Sequence, residues 1–433
     1  MLALGTILLS SVWQAATAVG HVIPRELDDM SMQSGNDTGN GTEPERGDYT
    51  WTPTCHLPSP KDFMYSMGFD YNPGCVPGTG TLKAFMLFVD FPDAEAGNES
   101  AQAMYDQMAV PTAEWYAQAS YGNLQLNISA DTSAYYRMPK TAAAYDWMGS
   151  TYRQDAYVQD ALDAFTGNGA RPPPPEVDVL YVVPTSGAAP WISRSQTTFD
   201  PISTRQGQKV TKKAVTFGAD PANDLIHMTM VHETGHTFCL PDYYSFNNYA
   251  GFYVGGFSIM AETFGGSPDY FAWDKYRLGW LKDESVDCIL EKGSTEHVLT
   301  PLAVNGPGKK AVVVAASETH ALIAEVRIAS GLDAKTCAPG VLLTIVDTRM
   351  AGGNGPIRVV DTTPGSGGCA GLLDDMVDAP LSLSLEGSKS LAYTPTSSFD
   401  VPGWGVKVTL LSVEDQKYTI RVDTEQGPRT TTY

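Results

Sequence analysis

The stretch His232-Glu233-Thr234-Gly235-His236-Thr237-Phe238-Cys239-Leu240-Pro241-Asp242-Tyr243-Tyr244 decides how the rest of this chain is read. Residues four apart on an α-helix share a face, so His232 and His236 can hold one ion together. Glu233, one position along, reaches a water held by that ion and can act as its base. Pro241 stops the helix, and Asp242 can then turn back with a carboxylate as third ligand. Two imidazoles, a carboxylate and an adjacent base form the donor set of a zinc-dependent peptide hydrolase.

Chance is a poor account of this run. The 433 residues hold only 7 His, and two of them fall at ligand spacing with a Glu between. His227 lies off their shared face and reads as a bystander. Asp242 has a second reading as a turn or cap residue, with Glu262 as the substitute ligand. Tyr244 is either a phenol that assists the developing oxyanion or a packed aromatic.

Working outward, the motif helix should start at Asp224, a good N-cap, and run to about Cys239. Residues 83–91 are a short apolar run with the aromatic content of a buried strand. Residues 101–120 carry helical spacing interrupted by Pro111, which predicts two helical pieces. A strand at 124–128, a helix over about 152–165 and a strand at 177–183 follow. Residues 184–210 are polar and irregular, a surface loop with a hairpin at most.

Three motifs in one order carry a family resemblance. The His232 to Asp242 spacing is similar to the metzincin pattern, and Ser258-Ile259-Met260-Ala261 resembles its methionine turn. More narrowly, the opening stretch, Gly256 to Met260 and Trp273-Asp274-Lys275-Tyr276-Arg277-Leu278-Gly279-Trp280 together resemble the secreted immune inhibitor A type of metallopeptidase. The likeness covers about residues 80–365. It implies one catalytic zinc held by His232, His236 and Asp242, Glu233 as base, Met260 as an apolar floor, and protein or peptide substrates. Where metzincins usually have Gly, seven residues after the first His, this chain has Cys239, so the turn toward Asp242 must accommodate a side chain. The tract after Trp191 also lacks a His that such proteins often show.

From about Asp283 the texture changes to β-branched runs at 312–316, 321–328, 341–346, 357–360, 406–413 and 418–422. These predict a sandwich of roughly seven short strands, closed by a hairpin at Glu414-Asp415-Gln416. The expected fold is therefore an α+β, zincin-like or metzincin-like catalytic domain over 80–284, with a mixed sheet and the active-site helix, followed by an all-β sandwich-like domain over 285–433.

The apolar run from Leu2 to Val12 and the small-x-small site Ala16-Thr17-Ala18 read as a secretory signal over residues 1–18. No Lys or Arg precedes it, so a short buried strand is the other reading. Residues 19–79 read as a glycosylated disordered tail or short propeptide ending in a Cys55/Cys75 loop. Sequons at Asn36, Asn40, Asn98 and Asn127 fit export. Six cysteines suit an oxidising compartment; Cys55 with Cys75 and Cys337 with Cys369 are the preferred local pairs, and Cys239 is expected to stay a buried thiol. A net charge of −21 without a basic cluster argues against nucleic acid and anionic membranes. No second segment is apolar enough to span a bilayer, so a released monomer is expected. Structural calcium is left open, with nothing in the sequence to support it. A binding protein on an inert peptidase scaffold is the alternative function; retention of Glu233 favours the enzyme.

Overall fold

In strand β1 (Gly80–Asp90) side chains alternate between two apolar layers, Ala84, Met86 and Phe88 on one and Phe85, Leu87 and Val89 on the other. A strand buried on both faces reads as one continuous apolar run. The computed structural model describes residues 52–60, 63, 65–69, 72–145, 154–218, 225–370, 374–392 and 394–429. The expected signal at 1–18, Asn36, Asn40 and Asp224 lie outside them. Asn98 and Asn127 are exposed.

β1 sits in a seven-stranded sheet with β2 (Leu124–Ala130), β3 (Tyr136–Arg137), β4 (Val177–Pro184), β5 (Gln196–Thr197), β6 (Ile202–Ser203) and β7 (Lys209–Thr216). Its order is β2-β1-β4-β7-β5, with β3 on β1 and β6 on β7. Strands β2, β1, β4 and β7 run parallel, while β5 and β6 run antiparallel to β7. The tract expected to be surface loop therefore supplies two short strands and the start of a third. Its apolar positions were too few to mark them; β7 is held by register with β4 instead.

The helices are α1 (Ala101–Ala119), α2 (Ala142–Tyr145), α3 (Gln154–Thr166), α4 (Ile226–Thr237) and α5 (Ala272–Arg277). α3 covers one face of the sheet with Tyr157, Val158, Ala161, Leu162 and Phe165. Helix α1 is one helix through Pro111, not two pieces. Its buried face holds it together: Thr112 Oγ1 donates to His227 O at 3.3 Å and Tyr116 Oη to Val231 O at 2.7 Å, both on α4. Tertiary packing outweighs the one backbone bond that proline removes.

Nine strands form two further sheets. β8 (Val286–Ile289), β10 (Ala311–Ala315), β11 (His320–Arg327), β12 (Gly340–Asp347) and β13 (Ile357–Val359) make one; β9 (Gly293–Leu299), β14 (Ser398–Val401), β15 (Val406–Glu414) and β16 (Lys417–Thr424) make the other. Val312, Val314, Leu322 and Ala324 of the first share an apolar layer with Val408, Leu410, Ile420 and Val422 of the second. Their neighbours Val313 and Ile323 face the opposite way, into the core that contains α4 and α5. The extra strands relative to the expected seven include β9, whose exposed, polar residues left no apolar run to read. Asp415 and Gln416, both at positive φ, close the terminal hairpin as expected of a two-residue turn. Mixed α and β structure in three sheets, with no closed barrel among the described residues, is the architecture.

A wholly buried ionic cluster joins the β-rich part to the segment after Met260. Arg327 Nε lies 2.7 Å from Glu325 Oε1 and Nη1 2.8 Å from Asp333 Oδ2, while Nη2 donates to Phe257 O and Tyr270 O. Lys275 pairs with Asp269 at 2.6 Å beside it. Charges this deep are tolerable because their hydrogen-bonding capacity is so fully used.

Two cysteine pairings differ from expectation. Cys55 bonds Cys288 and Cys75 bonds Cys239, so the Cys55/Cys75 loop does not form and Cys239 is not a thiol; Cys337–Cys369 pairs as predicted. The described residues ahead of β1 fold back locally, with Phe69 N–H donating to Leu57 O at 2.8 Å and the Phe69 ring stacked on His56 at 4.4 Å. They lie across the body, where Trp273 Nε1 donates to Met67 O (2.7 Å), Arg277 Nε to Gly68 O (2.7 Å) and Trp280 Nε1 to Gly78 O (2.5 Å).

Candidate functional site

Helix α4 is buried along most of its length, which a helix carrying three His, a Glu and three Thr can afford only if the buried ones among those groups find partners. Thr234 Oγ1 bonds Met230 O at 2.6 Å and meets Tyr181 Oη of β4 at 2.8 Å. Gly235 has no room for a side chain: a Cβ would stand 2.5 Å from Met260 Sδ and 2.6 Å from Tyr270 Oη. Met260, the expected floor residue, thus packs directly under the turn between the two His.

The helix ends in a Schellman closure, with Cys239 N–H donating to His236 O and Leu240 N–H to Gly235 O. Cys239 takes the left-handed position, φ +61°, where the metzincin pattern has Gly. Its disulfide to Cys75 fastens that turn. The reversal aims Leu240 O at His236 Nδ1 (2.7 Å) and returns Asp242 to the helix. Tyr243 N–H donates to Met260 O at 2.9 Å, locking the returning strand to the methionine turn.

Asp242 Oδ1 lies 3.1 Å from His232 Nε2 and 3.2 Å from His236 Nε2. His232 Nδ1 lies 2.7 Å from Ile259 O. The ligand atoms of His232, Glu233 and His236 all fall within 4.8 Å of one another. Glu262, the substitute ligand, is turned elsewhere, with Oε1 and Asp374 Oδ2 flanking Gly251. His227 is not in the group. Tyr244 stacks near His232, ring centroids 6.2 Å apart, and burial with the Asp242 charge holds its phenol above the usual range.

Carbonyl oxygens only accept, so Nδ1 of both rings must carry hydrogen. A neutral imidazole then turns the Nε2 lone pair toward Asp242 Oδ1, and two lone pairs facing one carboxylate oxygen repel. A proton on Nε2 relieves this, and so does a cation shared among the three atoms. Ligands about 2.1 Å from a tetrahedral ion stand about 3.4 Å apart, close to the contacts found. The donor set fits a divalent metal. Burial is outweighed by the Asp242 charge and bond, which lift His236 to about 9; the two imidazoles in turn hold the Asp242 carboxyl far below its usual range despite burial.

Glu233 has a different environment. Burial pushes its pKa up and the Asp242 charge adds to this, against the lowering effect of both imidazoles and of Thr197. Thr197 Oγ1 is 3.0 Å from Glu233 Oε2 and 2.9 Å from its carbonyl oxygen. A carboxylate with a raised pKa, steered by one hydroxyl, suits a group that accepts and passes on a proton.

No protein-family model matches the chain, and no curated protein does.

Two residues at this site left no mark in the sequence. Thr197 sits in the tract read as loop. Tyr65 belongs to the stretch read as tail; its ring lies 5.9 Å from that of His236 and 5.3 Å from that of Phe199. Only the fold brings either one to Glu233.

Proposed function

We propose that the chain is a secreted zinc-dependent endopeptidase, in which His232, His236 and Asp242 hold the metal and Glu233 transfers the proton. The observation that carries this reading is the convergence of Asp242 Oδ1 on both imidazole Nε2 atoms, with both Nδ1 positions committed to backbone carbonyls. Bound zinc supplies Lewis acidity, polarising a carbonyl and bringing the pKa of water toward neutrality. Glu233 takes a proton from the attacking water and delivers it to the leaving amine. Thr197 orients that carboxylate. The resemblance to the immune inhibitor A type supports peptide bonds of proteins as the substrate class. Export is part of the proposal; three disulfides agree with it, and no helix among the described residues is long and apolar enough to cross a membrane.

The test is purified protein assayed for bound metal and for cleavage of a denatured, fluorescence-quenched protein. Cleavage should disappear with a chelator and return with zinc, and Glu233→Ala should keep the metal while losing cleavage. Wild-type protein that carries zinc, has shed the segment before Cys55 and leaves the substrate intact would favour the inert binding scaffold.

A further inference from the structure

We propose that Tyr65, carried by the segment ahead of β1, is the phenol that stabilises the oxyanion at this site. The inference rests on the peptidase reading and adds a residue to it. Tyr65 Oη is buried and has no hydrogen-bond partner among the described residues, which is costly unless the group serves something else. Its ring stands between His236 and Phe199, and the charges of Glu233 and Asp242 both act on it. A phenol keeps its proton at neutral pH and can donate it in a hydrogen bond.

The placement is built rather than incidental. Ser66 Oγ donates to Thr348 O (3.3 Å), and the Met67 and Gly68 carbonyls are held by Trp273 and Arg277. Disulfides from Cys55 and Cys75 fasten the stretch on either side. Removal of any residues before Cys55 leaves Tyr65 in place.

In the step, water oxygen bonds to the scissile carbonyl carbon as Glu233 takes one water proton, and the carbonyl π pair moves to oxygen. Tyr65 O–H donates a hydrogen bond to that oxygen without transferring its proton. Collapse re-forms C=O and breaks C–N, and the proton held by Glu233 goes to the amine.

Tyr65→Phe keeps the ring and removes only the unpartnered hydroxyl. In the full-length mature, zinc-loaded protein, kcat should fall about 10²-fold with KM nearly unchanged and Tm equal or higher. A phosphinic peptide inhibitor, which mimics the tetrahedral species, should weaken by the same factor as kcat/KM. Active wild type with an equally active Tyr65→Phe overturns the proposal alone, as does a Tyr65→Ala variant that is faster than wild type, because the ring would then be a cover. Inert zinc-loaded wild type overturns the peptidase reading and this one with it.

Discussion

Thr197 Oγ1 stands 3.0 Å from Glu233 Oε2, so a two-residue strand at the sheet edge reaches the one carboxylate expected to move a proton. Thr197→Val keeps the β-branched shape and removes the hydroxyl. Losing a hydrogen bond to a charged group is worth roughly 1.5 kcal/mol, so kcat should fall about tenfold. Metal content by atomic absorption should be unchanged; loss of metal would mean that Thr197 supports the ligands instead.

The left-handed conformation of Cys239 and its bond to Cys75 have separable costs. Replacing both cysteines removes the crosslink, a loss of about 2–5 kcal/mol. Between two such variants, Cys75→Ala/Cys239→Gly should be more stable than Cys75→Ala/Cys239→Ala by about 1 kcal/mol, since Ala there keeps the Cβ penalty. Urea unfolding of the pair measures the difference, and equal midpoints would show that the turn relaxes once the crosslink is gone.

Gly235→Ala should destabilise the protein by about 1–3 kcal/mol through overpacking. The added methyl meets Met260 Sδ and Tyr270 Oη, and the latter is tied to Tyr116 at 2.9 Å. Gly235→Ala/Met260→Ala should recover part of the loss in a thermal melt. Failure to recover anything would place the strain on Tyr270.

Asp274 predicts a pH dependence of stability. Burial pushes its carboxyl up to about 7 from 3.8, although Tyr243 Oη donates to it at 2.6 Å. The unfolded chain loses this proton near pH 4, whereas the folded chain keeps it until about pH 7. Between those values the folded state binds more protons, so stability falls as pH rises, by up to about 1.4 kcal/mol per unit. Above pH 7 this group adds no further change. Asp269, lifted to about 6 by burial, acts in the same direction. Asp274→Asn should flatten the slope between pH 4 and 7 relative to wild type, and an unchanged slope would assign it to other groups.

Periodicity made the buried strands β1 and β4 and the apolar strands of the β-rich part legible, because burial on one or both faces dictates which side chains they carry. Helix α4 was legible from chemistry, its His pair being at a spacing that helix geometry alone explains. Polar edge strands were not, since β5 and β9 are fixed by pairing to neighbours far away in sequence. Pro111 misled because a local rule predicts a break that the packing of α1 on α4 overrides. The cysteine pairs failed for a related reason: proximity in sequence pointed to Cys55 with Cys75, while the segment between them is held by Trp273 and Arg277 across the body. Thr197 and Tyr65 had no local signal at all.

The two long-range disulfides impose an order on assembly. Cys75 emerges from the ribosome 164 residues before Cys239, and Cys55 233 residues before Cys288. During that interval the two early thiols have only each other as nearby partners. An oxidising compartment that closes them at once must later reopen them, so efficient production depends on a thiol–disulfide isomerase. A host that oxidises without reshuffling should accumulate a trapped form whose His232 and His236 are present while the turn that returns Asp242 is unfastened.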